Sequence, residues 1–158
     1  MRHHRSRVVG ATSIIAGLVL VIATVGSAAA ARGELFTIAI GLDASANGEI
    51  FTSDSALLCP SGVAMTDFHR ASGNFWAAGS FHLDKLIVCD DGSGTFVIRV
   101  DAASNFITGA GTQGGWSVVP GSGTGDYAGL TGGGNVVGIN VDSPSVDLVD
   151  HYYGSLRV

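Results

Sequence analysis

Residues 81–101, FHLDKLIVCDDGSGTFVIRVD, decide the fold. Two apolar runs, Phe81–Cys89 and Thr95–Asp101, flank the polar, glycine-bearing segment Asp90-Asp91-Gly92-Ser93-Gly94. That pattern reads as a β-hairpin. Side chains alternate across a strand, so Phe96, Ile98 and Val100 share one face. Thr95, Val97, Arg99 and Asp101 share the other, which marks the first face as the core side.

The same grammar extends in both directions. Upstream, Leu35–Ile40 is β-branched and aromatic and closes at Gly41. Asn47-Gly48 signals a turn before Glu49-Ile50-Phe51. Ala56-Leu57-Leu58 leads into a further turn at Cys59-Pro60-Ser61-Gly62, and Val63–Arg70 is strand-like. Downstream, Gly115–Val119 is a strand that runs into the corner Pro120–Leu130. Gly134–Val141 and Ser145–Val158 form a closing pair around Asp142-Ser143-Pro144. No segment after residue 31 sustains a helical apolar period over ten residues. About eight strands without helical crossovers predict an antiparallel sheet, and eight strands can close into a small barrel. The expected class is all-β, an antiparallel eight-stranded β-barrel preceded by an N-terminal signal helix.

The first residues have another character. Arg2, Arg5 and Arg7 precede an uncharged stretch, Val8–Ala31, that ends Gly26-Ser27-Ala28-Ala29-Ala30-Ala31. This is the layout of a Sec-type export signal with a small-residue cleavage site. The alternative is an uncleaved anchor, since the stretch could span a bilayer. The expected organisation is a signal peptide over 1–31 and one barrel domain over 32–158. The product would be extracytoplasmic, with no membrane span once the signal is removed.

Of the eight Lys and Arg residues three lie in that leader, which leaves five against thirteen acids, a formal charge of −8 over residues 32–158. That sign opposes binding of nucleic acid or anionic lipid through a basic patch. Cys59 and Cys89 are the two cysteines, and an even pair in an exported chain reads as a disulfide. Two separate buried thiols are the alternative.

Three constellations bear on chemistry. The glycine-rich run Gly121–Gly125 lacks the Gly-Lys-Ser/Thr ending of a phosphate loop and sits in no βαβ unit. It reads as a tight corner that needs positive φ and close backbone approach. Asp67-x-His69 and His82-x-Asp84 each place two ligating side chains on one strand face. If the strands turned about residues 75/76, Asp67 would oppose Asp84 and His69 would oppose His82, a four-ligand set for a divalent metal. Gly73-Asn74 is, by local chemistry, the better turn and would break that register. Without that set, no cofactor is expected. The third constellation is aromatic: Phe75, Trp76, Trp116, Tyr127, Tyr152 and Tyr153 either fill a core or line an apolar lumen with polar tips. Asp150 and His151 are adjacent, so on a strand they point opposite ways and cannot form a relay.

Trp116-Ser-Val-Val-Pro-Gly-Ser-Gly-Thr-Gly-Asp-Tyr-Ala-Gly-Leu-Thr-Gly132, with Cys89–Phe96 and Asp150–Gly154, resembles the allene oxide cyclase and dirigent-like barrels, including small exported actinobacterial members. The resemblance covers residues 85–158 well and 35–84 poorly. It implies a barrel more than an activity. The cyclases use a carboxylate and polar groups on their first strands; here Leu35–Ile40 carries no acid, and neither Glu34 nor Glu49 aligns with the family's acid. The acidic pocket residues of dirigent proteins find no counterpart by alignment.

The expected function is therefore non-enzymatic: an exported barrel that binds a small hydrophobic ligand or a cell-surface partner, with Trp116 and Tyr127 as ligand contacts. The alternatives are a cyclase- or isomerase-like enzyme acting on a hydrophobic substrate, and a structural barrel with a filled core. Inward carboxylates in a hollow barrel would favour binder or enzyme, and a lumen filled by side chains would count against both. Ligand identity and oligomeric state stay open, although related barrels often assemble.

Overall fold

Along residues 81–89 and 95–104 buried residues alternate with more exposed ones, and eight strands hydrogen-bond in chain order until the last meets the first. The computed structural model describes residues 33–41, 49–74, 78–105, 111–141 and 147–158. The expected export signal over 1–31 and the Asn47-Gly48 and Asp142-Ser143-Pro144 turns lie outside them, as do Phe75 and Trp76.

The strands are β1 (Glu34–Ile40), β2 (Glu49–Ser53), β3 (Ser61–Asn74), β4 (Ala78–Cys89), β5 (Thr95–Asn105), β6 (Gly111–Val118), β7 (Thr131–Asn140) and β8 (Leu148–Arg157). All neighbours are antiparallel, and β1–β8 pairing closes the barrel. Closure joins the first strand to the last, so neither ends the sheet as a free edge. Among the described residues no helix is long and apolar enough to cross a membrane. One 3-10 turn, Gly125–Tyr127, sits in the β6–β7 connection.

The hairpin at 81–101 forms as its pattern predicts. Phe96, Ile98 and Val100 are buried, and Val88 pairs with Thr95 across the turn. Two turn expectations are corrected. Ser61 and Gly62 already belong to β3, paired with Thr52 and Phe51. The chain does not turn at Gly73-Asn74 either, because Gly73 pairs with Gly79 and Asn74 with Ala78. Small residues and a Ser72–Ser80 hydroxyl bond of 2.7 Å let the hairpin run on to the Asn74–Ala78 pair.

The two ends of the barrel differ. The β2–β3, β4–β5 and β6–β7 connections share one end. There Cys59 and Cys89 are bonded, with Cα atoms 5.9 Å apart, as the cysteine count predicts. Leu58, Tyr127 and Leu130 are buried beside them. The glycine-rich corner lies along β5, with Thr124 N–H on Thr95 O at 2.8 Å and Asp126 N–H on Ser93 O at 2.9 Å. Gly125 shows why glycine is needed: its φ is +58°, and a Cβ would stand 2.2 Å from Ser93 O. This bears out the corner reading. Most of the residues between β1 and β2, β3 and β4, β5 and β6, and β7 and β8 fall outside the described ones.

Candidate functional site

Strand parity decides what the barrel encloses. Phe36, Phe51, Phe96, Trp116 and Tyr152 all point inward and are buried. Phe36 and Tyr152 stack with centroids 4.4 Å apart, and Trp116 meets Phe36 edge-on at 5.2 Å. Phe96 packs on Tyr127 at 5.1 Å. These rings pack on one another along the apolar part of the inner wall, and their burial and contact geometry stabilise the fold.

The same parity brings polar side chains inside. On β4, Lys85 shares the inner face with Leu83 and Ile87 and is only 2% exposed. It ion-pairs with Glu49 of β2, which is itself buried. Thr66 of β3 joins them, donating to Glu49 Oε1 at 2.8 Å and accepting from Lys85 Nζ at 2.8 Å. On β8, Asp150 lies between Leu148 and Tyr152 on the inner face, 5% exposed. Burial pushes its pKa up to about 6 against the pull of the Lys85 charge, and the Glu49 charge adds to the rise. Tyr152 donates its hydroxyl to Asp150 Oδ2 at 3.4 Å, and burial holds its own pKa well above the usual phenol range.

One row of cross-strand partners runs round this wall: Ser104, Thr112, Gly138, Asp150, Ile38 and Phe51. Three buried oxygens on it, Ser104 Oγ, Thr112 Oγ1 and Asp150 Oδ1, have no hydrogen-bond partner among the described residues. Such atoms cost free energy unless something supplies the missing bond. Gly138 makes the arrangement fit: a Cβ there would lie 2.4 Å from Asp150 Oδ1 and 3.0 Å from Thr112 Oγ1.

Trp116 and Tyr127, expected as ligand contacts, are buried. Their polar tips are occupied: Trp116 Nε1 donates to Tyr153 O at 3.1 Å, and the Tyr127 hydroxyl lies 3.0 Å from Ser93 Oγ and 3.4 Å from Cys89 Sγ. Trp116 shares the enclosed wall with Tyr152, whereas Tyr127 plugs the disulfide end.

The four residues considered for a metal do meet on the outer face. Asp67 pairs with Asp84, but a bulge between Phe68 and Arg70 sets Arg70, not His69, opposite His82. Both Asp84 oxygens bind Arg99, each at 2.9 Å, and His69 Nε2 reaches Oδ2 at 3.0 Å. Arg99 holds the Asp84 carboxyl below its usual range, with His69 assisting. His82 pairs with Asp101. The face is a ladder of ion pairs, and among the described residues no group of three or more His, Cys, Asp or Glu is arranged to hold a metal ion. His151 points out to Glu34 at 3.1 Å while Asp150 points in, as their adjacency predicts.

Surface hollows border the barrel among the described residues. One, of about 420 Å³, lies between Arg70, Phe81, His82, Asp101 and Gln113. Another, of about 310 Å³, lies between Glu34, Thr37, Thr52, Asp54 and Pro60. Neither is lined by Asp150, Thr112 or Ser104, so the inner row is the chemically distinctive site. Sequence reading passed over it. The available signal was parity: Lys85, the one lysine of the chain, and Asp150 both occupy core-side positions of their strands.

No curated protein and no solved structure matches this chain. The family model described as "Protein of unknown function (DUF3224)" matches residues 61–146, from the start of β3 to the connection before β8. That span is more than half of the chain and holds Lys85, Ser104, Thr112 and Gly138, and by this match the protein belongs to the DUF3224 family.

Proposed function

We propose that this is an exported barrel, related to the dirigent and allene oxide cyclase-like barrels, that holds a small hydrophobic molecule inside without transforming it. One observation carries the reading. Ser104 Oγ, Thr112 Oγ1 and Asp150 Oδ1 are buried without partners on one cross-strand row, beside a wall of Phe36, Trp116 and Tyr152. An apolar wall carrying a few polar groups is the composition of a small-molecule site. Export is supported by the charged, then uncharged, then small-residue order of residues 1–31 and by a disulfide that suits an oxidising compartment. The relationship is supported by the closed eight-stranded barrel and by the glycine corner over 116–132.

The test is titration of the full chain with N-phenyl-1-naphthylamine, a neutral probe that brightens in apolar surroundings. Saturable enhancement that falls with Thr112→Val supports an interior site. Enhancement that is absent, or indifferent to Thr112, contradicts it.

A second reading, a cyclase- or isomerase-like enzyme, is favoured by the Asp150 pKa of about 6. A carboxyl poised there can exchange protons near neutral pH. It would act as general acid or base on a hydrophobic substrate, and turnover of a bound ligand that Asp150→Asn abolishes would establish it.

A further inference from the structure

Three ionisable side chains face the interior among the described residues apart from tyrosine: Glu49 from β2, Lys85 from β4 and Asp150 from β8. Glu49 and Lys85 cancel each other in a direct pair that Thr66 completes. Asp150 is the remainder. Tyr152 serves one of its oxygens; the other has no partner. A buried carboxylate in that position needs a compensating proton or cation.

We infer that the molecule held in this interior is a primary amine with an apolar body, its ammonium group paired with Asp150. This rests on the reading of the barrel as an interior binder, and it names the ligand's chemical class. An ammonium carries one positive charge and three N–H donors. The row offers one uncompensated carboxylate and three acceptors without partners: Asp150 Oδ1, Thr112 Oγ1 and Ser104 Oγ. These groups come from three strands, with Thr112 partnered to Ser104 on one side and to Gly138 on the other. An alcohol brings no charge and a single donor. A carboxylate ligand would set a second negative charge beside Asp150. A quaternary ammonium has no N–H for the two hydroxyls. A primary amine answers both the charge and the donor count. Phe36, Trp116 and Tyr152 supply the apolar wall for the rest of the molecule, and aromatic faces also attract a cation.

Protonation follows from the same geometry. The charged and titratable groups around Asp150 are Lys85, Glu49, Tyr152 and, through the wall, His151. Amine binding needs Asp150 ionised. Affinity is therefore full above about pH 6 and falls about tenfold per unit below it.

The experiment is isothermal titration of the full chain at pH 7.5 with 2-phenylethylamine and n-octylamine, each beside its isosteric alcohol and with 3-phenylpropionate as the anionic control. The amines are expected to bind about tenfold or more tighter than the alcohols, and the anion not at all. Asp150→Asn is expected to bring amine affinity down to the level of the alcohol and to remove its pH dependence. If that variant does not fold, Thr112→Val is read instead, and a several-fold loss of amine affinity is expected. Alcohols that bind as tightly as amines overturn this inference and leave the binder reading standing. Amine affinity unchanged by Asp150→Asn, or by Thr112→Val in its place, also overturns the inference. If no probe binds, both readings fall.

Discussion

Gly138 and Asp150 face each other across the β7–β8 pair, and the Asp150 carboxylate occupies the space that a β-carbon on Gly138 would need. Gly138 thus admits a buried acid to the inner wall. Gly138→Ala sets its methyl 2.4 Å from Asp150 Oδ1 and 2.7 Å from Thr112 Cβ. The expected loss is about 1–3 kcal/mol, as for other overpacked sites. Gly115→Ala is the control, because its nearest neighbour would be 3.6 Å away. That change is expected to be neutral or stabilising by up to about 1 kcal/mol. Urea denaturation of both variants checks the contrast; equal effects would contradict it.

The Glu49–Lys85 pair predicts strong non-additivity. Lys85→Met leaves Glu49 buried without its cation and is expected to cost about 3–5 kcal/mol. Glu49→Leu combined with Lys85→Met removes both charges, and most of the loss should be recovered. A double-mutant cycle by chemical denaturation measures the coupling, and simple additivity would show that the pair is not a unit.

Asp150 makes stability depend on pH in an unusual direction for an acid. Its folded-state pKa is about 6, whereas an unfolded Asp titrates near 3.9. Between those values the folded chain holds a proton that the unfolded chain has released. Stability therefore falls as pH rises from about 4 to about 6, and the penalty is complete above that. The full span is roughly 3 kcal/mol. Asp150→Asn should raise the melting temperature at pH 8 and flatten this slope. A variant that is less stable than the parent at pH 8 contradicts the assignment of Asp150 as a buried, undercompensated acid.

The disulfide closes the end that also carries the glycine corner. Cys59 and Cys89 are 30 residues apart, so their bond constrains the unfolded chain by roughly 3–4 kcal/mol. Cys59→Ala with Cys89→Ala should lower stability by that amount, and a reductant should no longer affect the variant. Unchanged stability would place the bond outside the folding energetics.

Legibility followed the range of the forces involved. The hairpin at 81–101 and the glycine corner could be read because alternation and turn chemistry are local. The Gly73-Asn74 turn was misjudged because cross-strand partners, Ser72 with Ser80 and Gly73 with Gly79, extend the hairpin past a good local turn signal. Gly73 does adopt a φ of +77°, so the local preference is expressed within a strand that continues. The outer Asp67–Asp84 register was foreseen as a condition, but the bulge at His69 depends on pairing that a sequence does not display. The interior site was the least legible part. Glu49, Lys85 and Asp150 lie on three strands separated by 36 and 65 residues, and only closure of the barrel brings them together. Even so, each sits on the core parity of its strand, where a charged residue is a signal in itself.

The central claim is that the inner row of Ser104, Thr112 and Asp150 serves a bound molecule. Native mass spectrometry of the chain produced in its own host measures this most directly. The account predicts a one-to-one organic adduct on the parent protein that is lost from Thr112→Val and Asp150→Asn variants of unchanged fold. A parent protein that carries only water, or an adduct retained by both variants, would contradict it.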